Sequence, residues 1–151
     1  MEIKKIRNFR KILRNFERLT SIQLKSCCSR VSLAQCHVLL EIEELDEATT
    51  GQLAQRLGLD KSTLSRTIDS LVNMGLLERL PSPSDRRFTP VVLTKQGKAV
   101  CNAINHEADD YYDRVFNSIP QGKHEVLIRD LSLLVQAMSA EEESRVADSK
   151  C

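Results

Sequence analysis

The stretch that decides the fold runs from Gln52 to Leu77 and has the sequence QLAQRLGLDKSTLSRTIDSLVNMGLL. Gly58 and Gly75 divide it into two short amphipathic segments, because glycine is typical of the residue that ends a helix. Asp60 is a suitable N-cap for the second segment. Spacings of three and four between apolar residues predict a shared seam. That seam comprises Leu53, Ala54, Leu57, Leu59, Leu64, Ile68 and Leu71. The pattern is typical of a helix-turn-helix.

Behind this segment the period changes from helical to extended. Residues 76–80 and 89–93 are short strand candidates, and the polar residues 81–87 between them predict a hairpin with a long tip. Pro90 has no backbone N–H to donate, so we expect its strand to lie at a sheet edge. The hairpin would make the helix-turn-helix a winged one.

The remaining chain is predicted to be helical. Apolar residues at spacings of three and four place one stripe on a long first helix over residues 2–25; they are Ile6, Phe9, Leu13, Phe16 and Leu19. A sixth helix after Pro120 carries Leu127, Leu131, Leu134 and Met138 on one face. Predicted N-caps of the second, third and fifth helices are Ser32, Thr50 and Thr94. The predicted fold is mainly α, with six helices and a small β-hairpin wing.

The charge is balanced overall but uneven along the chain. Twenty-two Lys and Arg against 21 Asp and Glu leave a net charge of +1. Residues 1–30 have nine bases and two acids, and residues 61–98 have seven bases and three acids. Residues 31–60 and 99–151 are each acidic by five charges. Since a nucleic-acid protein need only be basic where it touches phosphate, near-neutrality does not exclude such a partner.

The first turns of the fourth helix collect the residues that suit DNA recognition. Short hydroxyl side chains and a guanidinium on an exposed helix can reach base edges or phosphates in the major groove. The candidates are Lys61, Ser62, Thr63, Ser65 and Arg66. A second basic pair, Arg86 and Arg87, lies at the hairpin tip, where arginine can enter the minor groove. Asp85 is expected to orient Arg87 through an ion pair.

At these residues the chain resembles the MarR family of winged-helix transcription regulators. The resemblance rests on LAQRLGLDKSTLSRTIDSLVNMGLLERL and SDRRFTPVVLTKQG, residues 53–80 and 84–97. Its wing positions are filled by Asp85, Arg87, Val91, Leu93, Thr94 and Gly97. The resemblance implies a homodimer built from the first, fifth and sixth helices. It also implies binding to double-stranded palindromic operator DNA, usually as a repressor released by a ligand or oxidant.

Two apolar stripes support the dimer independently. A monomer of this size would struggle to bury the stripes of both the first and the sixth helix against one winged helix, although either stripe could be internal core. We therefore expect residues 1–30 and 99–151 to form a helical dimerisation region and residues 31–98 to form the DNA-binding region. The basic first helix would either flank DNA or meet the acidic C-terminal helices.

Three cysteines near the start of the second helix form a candidate sensor. Cys27, Cys28 and Cys36 lie within ten residues, and thiolates bind arsenite, zinc, copper or mercury, or respond to an oxidant. The basic residues Lys25 and Arg30 favour thiolates. His37, His106 and Glu107 are possible additional ligands. Alternatively the cysteines are structural only, and a MarR-type repressor would respond to a small aromatic ligand.

Several other classes are disfavoured. No catalytic motif is found, so we expect no enzyme and no required cofactor. Charges interrupt residues 1–16, which disfavours a signal peptide, and no segment approaches the roughly 20 apolar residues of a membrane helix. We therefore expect a cytoplasmic protein with reduced thiols and no membrane partner. The alternative function is a winged-helix adaptor that binds protein and not DNA.

Overall fold

The computed structural model describes residues 2–27, 30–81 and 89–148. The helices are α1 (Ile3–Cys27), α2 (Leu33–Leu45), α3 (Thr50–Leu57), α4 (Lys61–Asn73), α5 (Lys95–Asn117) and α6 (His124–Asp148). The strands are β1 (Glu47–Ala48), β2 (Leu77–Arg79) and β3 (Val91–Leu93). A 3₁₀ turn, Gln121–Lys123, precedes α6. The predicted fold class, six helices with a small β wing, is confirmed.

Local capping explains where the short helices begin. The Ser32 and Thr49 side chains each accept from the backbone N–H three residues on, and the glutamine there, Gln35 or Gln52, bonds back to the cap. The prediction of Thr50 as the cap of α3 was therefore wrong by one residue, because Thr49 has the extended backbone that an N-cap needs.

Two predicted helix ends are confirmed. Thr94 Oγ1 accepts from the N–H of Gly97 at 3.0 Å and so caps α5 as predicted. Gly58 ends α3 in the left-handed conformation, with φ of 62°.

The sheet differs from the predicted hairpin in one respect. Strand order is β1-β3-β2, all antiparallel, with Ala48 opposite Val91 and Leu77 opposite Leu93. The strand after Pro90 is therefore central, and the prediction of an edge position was wrong. Pro90 lies just before the strand, where its missing N–H breaks no ladder bond and its carbonyl accepts from Leu80 N–H at 2.9 Å.

The chain divides into two compact units, Met1–Ala108 and Asp109–Cys151. In the first unit, α2, α3, α4 and the sheet enclose one core whose buried members run from Val31 to Ile104. Leu53, Ala54, Leu64, Ile68 and Leu71 of the predicted seam are buried there, and Leu57 packs partly buried against them. The seam fixes α4 against α2 and α3.

In the second unit, α6 follows the 3₁₀ turn, and the described side chains remain exposed or half-buried. His124 Nε2 lies 3.0 Å and 2.9 Å from the carbonyl oxygens of Phe116 and Ile119. Because carbonyl oxygens only accept, this nitrogen carries the proton and closes the turn into α6. Over the described ranges, no helix combines the length and the apolar composition needed to cross a bilayer.

Candidate nucleic-acid interface

The first turn of α4 is organised by Asp60. Its carboxylate accepts from the backbone N–H of Thr63 at 2.8 Å and from the hydroxyl of Ser62 at 2.5 Å. These hydrogen bonds, above all the one from Ser62, hold the pKa of Asp60 well below its usual range, so the carboxylate stays charged. The helix start is thus partly neutralised by its own cap, and Ser62 uses its hydroxyl proton within the turn.

The other predicted contact residues lie in the first two turns of α4. Lys61, Thr63 and Arg66 are exposed, and Ser65 is half-buried. Arg66 Nε makes a long 3.4 Å hydrogen bond to the carbonyl of Ser62. Within the described ranges no acidic side chain pairs with Lys61 or Arg66, so both cations are available to an external anion.

A neighbouring arginine is occupied instead. Arg56 on α3 donates from Nε to Glu41 at 2.5 Å and from Nη2 to Glu44 at 3.0 Å. These bonds to Glu41 and then Glu44 raise the pKa of Arg56. Arg56 therefore stabilises the packing of α2 on α3, whereas Arg66 on α4 has no such acidic partner in the described ranges.

Two contacts that position α4 were not foreseen. Arg79 Nη2 on β2 donates to Asp69 Oδ1 on α4 at 2.5 Å, which ties the recognition helix to the base of the wing. Gln35 Nε2 donates to Ser70 Oγ at 3.0 Å while its Oε1 caps the start of α2. Alternation and helical period give no signal for either pair, since both join residues far apart in sequence.

The wing-tip residues Asp85, Arg86 and Arg87 lie outside the described residues. The strands that lead to them are in place: Glu78 and Arg79 of β2 pair with Val92 and Val91 of β3. Gly97 at the start of α5 packs so closely that a Cβ there would lie 2.1 Å from the carbonyl oxygen of Leu76. This contact fixes α5 against the base of the wing.

The candidate sensor residues are scattered or outside the described part. Cys28 and the side chain of Cys27 are not described, whereas Cys36 is completely buried in the winged-helix core. His37, the next residue, is exposed, as are His106 and Glu107. The described ranges hold no group of three His, Cys, Asp or Glu side chains suited to a metal ion. Cys36 and His37 therefore lie on different sides of α2.

A second buried cysteine, Cys101 on α5, was not among the candidates. Burial, and then the nearby charge of Glu43, raises the pKa of the Cys101 thiol to about 11. A thiol of that pKa is neutral at physiological pH and a poor nucleophile. Cys101 is a small core residue.

Comparison with known proteins finds similarity to one family. The MarR family model matches residues 31–89, which include α2, α3, α4 and β2 and end just before β3. Over these residues the chain is similar to the MarR family. It is 39% identical over 71 residues to the multiple antibiotic resistance protein MarR of Escherichia coli K12, covering 47% of this chain and 49% of that protein. The chain spans about half the length of the curated MarR relatives it matches.

Solved structures of MarR proteins share the fold. A MarR family protein from Bacillus stearothermophilus superimposes with a TM-score of 0.83 at 20% identity, over 92% of this chain and 99% of that one. A cysteine-to-serine mutant of E. coli MarR complexed with operator DNA gives a TM-score of 0.73 at 25% identity, over 89% and 99%. Another matched relative, YdgJ of Bacillus subtilis, is named an HTH-type transcriptional regulator and is 23% identical over 101 residues, which agrees with the prediction that the chain is no enzyme.

Proposed function

We propose that this chain is a MarR-type, sequence-specific transcription regulator that binds double-stranded palindromic operator DNA and acts as a repressor. One observation carries the proposal: at the start of α4, Lys61, Thr63 and Arg66 are exposed, and neither cation has an acidic partner in the described ranges. Leu64, Ile68 and Leu71 meanwhile anchor the helix in the core. A rigid helix with one open cationic face suits insertion into the major groove. A mutant E. coli MarR of the same fold was crystallised with operator DNA, which supports a DNA partner for this chain.

The homodimer belongs to the same proposal. Each of α1 and α6 leaves large apolar side chains exposed, including Phe9 and Phe16 on α1 and Leu131 and Met138 on α6. Contiguous exposed apolar surface on a protein of this size marks an interface. We assign residues 1–30 and 99–151 to dimerisation and residues 31–98, with Arg86 and Arg87 on the wing tip, to DNA contact.

The test selects operator sites from a random duplex library and measures affinity for the best site against scrambled duplex. Arg66→Ala should weaken operator binding by about 1–3 kcal/mol and relax base preference near the selected guanine, because a bidentate guanidinium contact is lost. Arg56→Ala is the matched control: it also removes one guanidinium, but one occupied by Glu41 and Glu44.

Two results would contradict the proposal. The first is a library that yields no preferred duplex, which would favour the protein-binding adaptor. The second is an Arg66→Ala protein that keeps both its affinity and its base preference. Wild-type affinity should also fall steeply with salt, since phosphate contacts release counterions.

For the effector we propose release from DNA by a thiophilic ion or oxidant acting at Cys27 and Cys28. The cysteines are adjacent and follow the exposed base Lys25. Cys36 lies in the core, so it would join them only after the start of α2 opens. Operator release should follow arsenite, zinc, copper, mercury or peroxide in the wild type and be lost in Cys27→Ser and Cys28→Ser. Release by a small aromatic ligand alone would contradict this sensor.

A further inference from the structure

Helix α1 carries a line of cations that the recognition surface does not use. Lys4, Arg7, Lys11, Arg14, Arg18 and Lys25 are separated by three, four, three, four and seven residues. At 3.6 residues per turn they fall on one face, which we call the α1 cation stripe. It runs for about 30 Å, at 1.5 Å of rise per residue. The apolar residues Phe9, Leu13 and Phe16 lie on the opposite face.

The stripe is exposed and uncompensated. Every one of its six side chains is exposed, and within the described ranges none has an acidic partner. The first turn of α1 contains no acidic residue, so Lys4 and Lys5 lie at the positive end of the helix dipole. Cations three and four residues apart, such as Arg7 and Lys11, repel one another. These costs are characteristic of a surface that binds an anion, since an ordinary solvated face mixes both signs.

The position of the stripe decides between the partners that its charge allows. The dimer of the proposed function covers the apolar face of α1, and the stripe lies on the other side of the helix. Acidic residues of a second copy packed against Phe9 and Phe16 would therefore meet the wrong face. In the proposed dimer the stripe would face solvent, which favours an external polyanion.

The composition of the stripe favours DNA over a lipid surface. A helix bound at a bilayer inserts apolar side chains, and here the apolar face is the one that the second copy covers. On the helix face that carries the stripe, Ile22 is the one apolar residue between Lys4 and Lys25. A straight row of guanidinium and ammonium groups without aromatic residues can neutralise phosphates but has nothing with which to read or stack on bases.

We propose that the α1 cation stripe is a second DNA-contact surface, which binds the phosphate backbone of duplex DNA without regard to sequence. It rests on the proposed function, because it assumes that the protein already binds a duplex through α4. In this arrangement α4 selects the site, while α1 adds affinity for further DNA, either flanking the operator or on another segment.

The test compares two double variants of the full chain with equal loss of charge. Lys11→Gln with Arg14→Gln neutralises the centre of the stripe. Arg114→Gln with Lys123→Gln is the matched control, since both cations are exposed and lie outside residues 31–98 and outside the stripe. Affinity is measured against salt for duplexes that hold only the selected operator and for long duplexes without an operator.

On long duplex, the slope of log affinity against log salt should be less steep by about 1.8 for the stripe variant. Each protomer loses two phosphate contacts, and each contact contributes about 0.9 to the slope. The control should keep the wild-type slope, and sedimentation should show the same oligomeric state for all three proteins. Arg66→Ala should keep the stripe-dependent slope while losing operator preference.

Each other outcome overturns the proposal in a distinct way. Equal loss in both double variants would indicate long-range electrostatics and no contact. Dissociation of the stripe variant would place the stripe in the dimer interface. Unchanged DNA binding with stripe-dependent binding to phosphatidylglycerol vesicles would assign it to membranes. If wild-type protein selects an operator but ignores long duplex, this inference fails while the proposed function stands.

Discussion

The winged helix and the two outer helices, α1 and α6, use similar amphipathic patterns with different results. The buried hydrophobic residues of the described chain all lie between Val31 and Ile104. On α1, Ile6, Phe9 and Phe16 stay exposed, as do Leu131 and Met138 on α6. An apolar stripe becomes core only where neighbouring elements of the same chain cover it.

This difference separates two sources of stability. The winged-helix core stabilises itself, because about 25 cal/mol per Å² of buried apolar surface accrues within one chain. In the proposed dimer, α1 and α6 would gain that free energy from the second copy, so it would depend on protein concentration. The predictions below test this separation, from the largest effect to the smallest.

Truncation in the core should cost most. Leu39→Ala removes a completely buried side chain and should lower the free energy of unfolding by about 2–5 kcal/mol. Leu133→Ala on α6, where Leu133 is 57% exposed, should cost little at protein concentrations low enough for monomers. Urea unfolding of both variants measures the difference. Equal losses would show that α6 belongs to the same self-sufficient core.

The glycine that joins α5 to the wing base should come next. Gly97→Ala drives a Cβ into the carbonyl oxygen of Leu76 and should destabilise the fold by about 1–3 kcal/mol, because backbone must move. Gly122→Ala is the control, since no atom lies within 4 Å of its Cβ position. Equal melting temperatures for the two variants would show that the close contact at Gly97 does not contribute to stability.

Polar substitution on α1 should act on assembly and not on the core. Phe16 is 52% exposed, and Phe16→Ser should raise the dimer dissociation constant at least about tenfold, since burying a phenylalanine contributes about 1.5–3 kcal/mol. The free energy of unfolding of the monomer should be unchanged. Sedimentation equilibrium compares it with Asn15→Ser, a polar exchange off the apolar stripe. An unaltered dimer would remove Phe16 from the interface.

The buried thiol should give the smallest effect, visible only at alkaline pH. The pKa of Cys101 is raised to about 11 in the fold, so as the pH rises the unfolded chain loses the proton first. Burial of the neutral thiol therefore stabilises the folded state fully below about pH 9, and this contribution is lost as the pH approaches 11. The free energy of unfolding, measured in urea, should fall less steeply between pH 8 and 10.5 for Cys101→Ala than for wild type. Parallel curves would contradict the burial of this thiol.

Sequence reasoning found most of the fold where it rests on short-range signals. The six helices, Gly58 and Gly75 as stops, Asp60 and Thr94 as caps and the two wing strands follow from local spacing and capping chemistry. It failed on β1, because two residues, Glu47 and Ala48, carry no periodicity. Without β1, Pro90 could be placed only at an edge.

The candidate site shows the same division. The exposed cations Lys61 and Arg66 were found because residue type and helix phase suffice. The sequence could not show that Asp60 engages Ser62, that Arg79 holds Asp69 or that Gln35 reaches Ser70, since packing sets these distances. It also grouped Cys36 with His37, although consecutive helix positions differ by about 100° and here face core and solvent.

The sequence by itself determined the helix-turn-helix, the cations at the start of its second helix and the apolar stripes of the helices. Hydrophobic period, caps and glycines suffice for this because they act over a few residues. Only the tertiary structure decided which stripes are core. Burial depends on what packs against a helix, and the chain supplies that cover for α2, α3 and α4 but leaves the apolar faces of α1 and α6 exposed. It also showed the cations of α1 exposed and without acidic partners in the described ranges, a surface that the chain's net charge of +1 conceals.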